Sequence, residues 1–126
     1  LVISCLDNII NVVIPDGVIK IESGAFWGCS KIESIYIPMG CKKIEVGAFY
    51  GCTQLKKIFI PSSITEWNVG WDTGNSGTKP FNGCTSLKSI YISPYYKQKL
   101  MKFKNLHLFV DKIKELYNTQ LFEYMD

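Results

Sequence analysis

Residues 14–36, IPDGVIKIESGAFWGCSKIESIY, run without a gap into residues 37–59, IPMGCKKIEVGAFYGCTQLKKIF, and the two copies agree at a period of 23 residues. A unit this short cannot enclose its own apolar face, so successive units must stack and share one continuous core. A third copy opens at Ile60 and Pro61, but its Phe81, Gly83 and Cys84 arrive nine residues late because of an insertion at 68–79. The phase then recovers: Leu87, Ile90 and Ile92 repeat Leu55, Ile58 and Ile60, which repeat Ile32, Ile35 and Ile37. Ile9, Val12 and Ile14 fill the same slots upstream, so the chain opens inside a coil, at Leu1 and not at Met. It reads as a monomeric fragment of a longer chain.

Each copy carries an extended segment in which Ile35 and Ile37 alternate inward around Tyr36, the period of two that marks a strand. Pro38 and Pro61 lack an N–H for the ladder and suit the strand's end. The Val18-x-x-Ile21 stretch supplies an opposite wall as a second, irregular strand. Phe26, Phe49 and Phe81 recur at one position and are expected to stack into a buried aromatic column. Cys29, Cys52 and Cys84 also share one position. Stacked in parallel, their side chains point the same way and not at each other, so free thiols acting as small hydrophobes are expected.

The succession Pro-x-x-apolar-x-x-Ile, Gly-Ala-Phe-x-Gly-Cys, (Leu/Ile)-x-x-Ile-x-Ile-Pro resembles the BspA-like leucine-rich repeat family. One copy carries it at Pro15, Val18, Ile21, Gly24, Ala25, Phe26, Gly28, Cys29, Ile32, Ile35 and Ile37. The next carries it at Pro38, Cys41, Ile44, Gly47, Ala48, Phe49, Gly51, Cys52, Leu55, Ile58 and Ile60, and the resemblance spans residues 6–92. The third copy departs, with Trp67 in the Ile slot and Lys79-Pro80 in place of Gly-Ala. The implied fold class is α+β, mostly β: a right-handed leucine-rich-repeat solenoid of stacked parallel short strands with a C-terminal helical cap. On this reading residues 1–92 form the solenoid, about three full coils and a partial N-terminal one, and residues 93–126 form the cap. Ser93 with Pro94 reads as a helix N-terminus leading to about Lys102. Leu106 to Val110 is strand-like, and Asp111 opens a second helix with the stripe Ile113, Leu116, Tyr117, Leu121 and Met125. The resemblance also implies an extracellular or cell-surface location and adhesion to host matrix.

Composition fits one globular domain: 126 residues, 47% apolar and 20% charged. No apolar stretch approaches the roughly 20 residues of a membrane-spanning helix. A net charge of +3 falls short of the concentrated basic surface that nucleic-acid binding uses. The single histidine, His107, stands in an apolar run without a nucleophile elbow or metalloprotease motif. The cysteines lack the C-x-x-C spacing of a zinc site, and Asp72-x-Gly-x-Ser-Gly77 has Gly83 where a calcium loop needs a bidentate Glu. The residues therefore indicate no enzyme, no metal and no cofactor.

Two surface features remain. Val13, Tyr36, Phe59 and Tyr91 occupy the outward slot of successive strands, an expected exposed ladder flanked by Ser34, Lys57 and Ser89. Aromatic groups are enriched at interfaces, although cross-strand aromatic pairs also stabilise a sheet. The insertion, NVGWDTGNSGTK, has the composition of an exposed loop and carries Trp71 beside Asp72 and Asn75, the indole either a contact residue at the loop's tip or folded back over Trp67. Lys97, Lys99, Lys102 and Lys104 read as a solvated helix face. The sequence thus points to a non-catalytic module that binds a protein or glycan through Tyr36, Phe59, Tyr91, Lys57 and the Trp71 loop. A structural spacer, or an accessory domain of a larger protein, is the alternative.

Overall fold

The computed structural model describes residues 8–45, 47–67, 81, 83–93, 96 and 111–115. Eight short strands follow one another: β1 Asn11–Val13, β2 Lys20–Ile21, β3 Ser34–Tyr36, β4 Lys43–Ile44, β5 Lys57–Phe59, β6 Glu66–Trp67, β7 Ser89–Ile92 and β8 Ile113–Glu115. They separate into a five-stranded sheet, order β1-β3-β5-β7-β8, and a three-stranded sheet, order β2-β4-β6. Every pairing is parallel. Successive strands of a sheet are one repeat apart, so Val12 pairs with Ile35, Ile35 with Ile58 and Ile58 with Ile90. This is a mostly-β solenoid of about three turns, with the second wall where the Val18-x-x-Ile21 pattern placed it.

The inward positions close the core. Ile35, Ile58 and Ile90 are fully buried, as are Ile44, Cys41 and Ile64 on the opposite wall. Phe26, Phe49 and Phe81 form the expected column, with centroids 5.7 and 6.0 Å apart. Around this column the Gly-Ala-Phe turns are knitted across coils, Phe26 N–H donating to the Ala48 carbonyl and Gly28 N–H to that of Tyr50, both at 2.8 Å. The turns approach closely enough to demand glycine at the last of them. Gly83 has φ +81°, and a Cβ there would lie 3.0 Å from the Gly51 nitrogen.

Two expectations are corrected. Cys29 is disulfide-bonded, while Cys41, Cys52 and Cys84 are free and buried. The parallel-stacking argument holds within the slot: the Cys52 thiol donates to the Phe26 carbonyl at 3.1 Å and the Cys84 thiol to that of Phe49 at 3.2 Å. Stacking keeps Cys29 from Cys52 and Cys84 but does not exclude a partner outside the slot, so the free thiol expected at Cys29 is not found. Interaction with the Cys52 thiol, reinforced by burial, pushes the Cys84 thiol up.

The second correction concerns the C-terminal segment, where the apolar stripe predicts a helix opening at Asp111. Residues 113–115 are instead strand β8, in register with β7 so that Ile90 pairs with Ile113. The 23-residue phase simply continues, and pairing against the exposed edge of β7 outweighs the local helical stripe. Tyr96 continues it too. Its N–H closes a turn on the Ser93 carbonyl, as Ile64 does on Pro61 and Cys41 on Pro38. Its ring is buried and its hydroxyl donates to the Ile64 carbonyl at 2.7 Å. The remainder of the helix expected from Ser93 to Lys102, the Leu106 to Val110 run with His107, the lysines from 97 to 104 and the rest of the apolar stripe lie outside the described residues.

Candidate functional site

The outer surfaces of the two sheets differ in kind. On the three-stranded sheet, lysines and glutamates neutralise one another: Lys20 meets Glu22 at 3.4 Å, and Lys43 bridges Glu45 and Glu66, both at 3.3 Å. Glu66 first, then Glu45, hold the Lys43 ammonium above its ordinary range. Glu22 and Glu45 are therefore the ion-pair partners of Lys20 and Lys43 on that surface.

The five-stranded sheet carries rings in place of ion pairs. Its register sets Tyr36 beside Phe59 and Phe59 beside Tyr91, and Ser34 beside Lys57 and Lys57 beside Ser89. Alternation sends Ile35, Ile58 and Ile90 inward and leaves these residues on the other side. The Tyr36 and Phe59 rings are tilted at 5.9 Å, and those of Phe59 and Tyr91 are stacked at 4.7 Å. Four sequence-predicted residues, Tyr36, Phe59, Tyr91 and Lys57, are thus brought together. Trp71, Asp72 and Asn75 lie outside the described residues.

The ladder is not uniformly exposed, contrary to expectation. Val13 is 57% exposed at one end, but Phe59, flanked by both tyrosines, is only 5% exposed. Ring stacking hides the central member and leaves Tyr36 and Tyr91 half-buried on either side of it. Burial, then the nearby Asp16 carboxylate, hold the Tyr36 hydroxyl above its usual value. Alongside, the Ser34 hydroxyl lies 2.6 Å from the Asn11 side-chain oxygen. At the sheet's rim the Lys56 ammonium meets Glu33 at 2.9 Å.

Strand β8 adds residues that the sequence reading missed. Lys114 pairs in register with Tyr91 and is exposed, and Lys112 immediately precedes the strand. The signal was present as Val110-x-x-Ile113, which repeats Leu87-x-x-Ile90 after 23 residues. A second missed feature is the pair Trp27 and Tyr50, at the variable position of Gly-Ala-Phe-x-Gly-Cys, stacked at 4.3 Å with Trp27 59% exposed. The indole also lies against Gly47, whose added Cβ would meet the ring at 3.3 Å, so it works as a lid on the turn. Among the described residues no group of three His, Cys, Asp or Glu could hold a metal ion, and no helix is long and apolar enough to cross a membrane.

A family model for the BspA type leucine rich repeat region matches residues 4–115 in six copies. A crystal structure of a leucine rich cell surface protein from Faecalibacterium prausnitzii A2-165 is similar at 34% identity and a TM-score of 0.52. The similarity covers 64% of this chain and 19% of that one, so the chain spans about a fifth of that protein's length. No curated protein matches the chain.

Proposed function

The chain belongs to the BspA-type leucine-rich repeat family, and from that premise we propose that it is a non-catalytic recognition module of a cell-surface or secreted protein, engaging a protein or glycan in adhesion. The observation that carries this reading is the contrast between the two sheets. One surface is closed on itself by ion pairs, whereas the other presents tyrosines, hydroxyls and lysines at strand spacing. Tyrosines supply large contact area at low entropic cost and are favoured at binding surfaces. The similar protein from Faecalibacterium prausnitzii is described as a cell surface protein, which supports the location. So does the disulfide at Cys29, because such bonds persist in oxidising compartments.

The burial of Phe59 favours the spacer reading in one respect, since a hidden ring contributes to the stack and not to a ligand. The test is capture by an array of matrix proteins and glycans, comparing wild type with a folded Tyr36→Ser, Tyr91→Ser double variant and with Trp71→Ala. Saturable capture lost in the double variant supports recognition through the sheet. Capture by nothing on the array leaves the spacer.

A further inference from the structure

We propose that the outer surface of the five-stranded sheet takes an anionic polysaccharide, its carboxylate or sulfate groups held by Lys57, Lys88, Lys112 and Lys114 and its hydroxyls by Tyr36, Tyr91, Ser34 and Ser89; this deepens, and rests on, the recognition reading. Strand β8 and the residue before it supply much of the charge. That strand carries Lys114 to the end of the tyrosine row and Lys112 to the repeat position of Lys57 and Ser89. Lys88 sits one residue before β7, its N–H on the Lys56 carbonyl at 3.0 Å. Lys57, Lys88 and Lys114 are exposed and Lys112 is half-exposed.

Neighbouring strands lie about 4.7–4.9 Å apart, so Lys57 on β5 and Lys112 beside β8 stand about two strand spacings apart with Ser89 between them, and Lys88 lies one residue away at the rim. That separation is about one Debye length at 0.1 M salt, and the lysines act on a ligand as one field. The carboxylates near these rows are Asp16 beside Tyr36, Glu33, which is already held by Lys56, Asp111 just before Lys112, and Glu115 at the end of β8. Among the described residues Lys88, Lys112 and Lys114 make no ion pair. The three-stranded sheet cannot do the same work, because Lys20 and Lys43 already face glutamates.

The class of anion follows from the backbone and the rings. An acidic peptide that binds by strand addition runs along a sheet edge and engages its backbone groups, whereas here the side chains are set out across successive strands from β3 to β8, perpendicular to an edge. Nucleic acid stacks its bases on open aromatic faces, but the Phe59 and Tyr91 faces are taken up by each other, stacked at 16°, and Phe59 is buried. The surface interleaves tyrosine and serine hydroxyls with ammonium groups along both rows, Tyr36, Tyr91 and Lys114 in one and Ser34, Lys57, Ser89 and Lys112 in the other. A polysaccharide with anionic substituents matches both.

The experiment measures binding of the full chain to immobilised heparin, dextran and poly-L-glutamate at low and high salt. It compares wild type, a Lys57→Gln, Lys114→Gln double variant and a Lys20→Gln control on the other sheet. Heparin binding that weakens about tenfold in the double variant, is unchanged in Lys20→Gln and fades with salt is the expected result. Equal loss in the control, equal binding of poly-L-glutamate, or dextran bound as tightly as heparin would each overturn the proposal. These failures are separable from failure of the recognition reading. A matrix protein or neutral glycan captured through Tyr36 and Tyr91 would sink the anionic assignment alone, whereas an array on which nothing binds would sink both.

Discussion

The two uninterrupted coils, residues 14–59, and the interrupted one, residues 60–92, reach the same core by different means. In the first two, the second wall is set by Ile21 and Ile44, whereas the third uses Trp67, whose ring meets Phe49 and Phe81 edge-on at 6.3 and 5.4 Å. Nine additional residues enter before Phe81, and yet the phenylalanine column widens only from 5.7 to 6.0 Å. Stacking therefore fixes where inward side chains stand and leaves the contour length between them free, because the entropy of closing a loop grows slowly with its length. Location on the coil decides what is tolerated. An insertion between walls costs little, and one methyl in the turn column costs more.

The largest expected effect tests whether the regions share one core. Phe49 touches Phe26 in one coil and Phe81 and Trp67 in the other, so Phe49→Ala should destabilise by about 3–5 kcal/mol in a single cooperative urea transition. Two separate transitions would break the comparison at its base. The glycine turns come next. At Gly28 an added Cβ meets nothing within 4 Å, so Gly28→Ala pays only for a positive φ, about 1–2 kcal/mol. Gly83→Ala adds overpacking against Gly51 and should lose about 2–4 kcal/mol. Equal losses would mean that the third turn gives way, and that the interrupted coil is the looser of the two.

The fold was legible because the repeat states its register openly. Ile35, Ile58 and Ile90 align at one position, and the phenylalanine column and both walls go with them. The fourth coil is hidden by a set of single departures: Ser93 where Pro61 stands, Tyr96 in the Ile64 slot and Glu115 in the Ile92 slot. Each breaks the apolar signature without breaking the spacing, so the local helical pattern around Asp111 is the louder signal there. The candidate surface was legible in composition but not in burial. Nothing in the residue types says that Phe59 would be screened by Tyr36 and Tyr91, since that depends on how the three rings lean together. The Cys29 disulfide was illegible because stacking excludes only bonds among Cys29, Cys52 and Cys84 and says nothing of a partner outside that slot.

Tyr96 joins the interrupted coil to the one after it, and its loss should be smaller than those of Phe49→Ala and Gly83→Ala. Tyr96→Phe leaves the Ile64 carbonyl unsatisfied at about 1–3 kcal/mol. Burial pushes the Tyr96 hydroxyl up, so its folded pKa exceeds the unfolded value of about 10. The stability it contributes is then whole below about pH 10 and is lost as pH rises through the folded value. The difference in unfolding free energy between wild type and variant should stay level from neutral pH to about 9.5 and shrink above it. A level difference throughout would show that another group governs alkaline unfolding.

The smallest effect separates the regions at their surface. Between the uninterrupted coils Lys56 reaches back to Glu33 at 2.9 Å, whereas at the same repeat position Lys88 finds Lys56 and makes no ion pair among the described residues. Both Glu33 and Lys56 are well exposed, so Glu33→Gln should cost no more than about 0.5 kcal/mol, and nothing measurable in 1 M salt. Lys88→Glu, which would offer Lys56 a partner from the interrupted coil, should gain no more than the same amount. A loss above about 2 kcal/mol for Glu33→Gln would mean that the surface column aligns the coils instead of decorating them. The interrupted coil, which lacks that column, would then depend more heavily on its Trp67 and Phe81 contacts, and Trp67→Ile would be the variant to loosen it first.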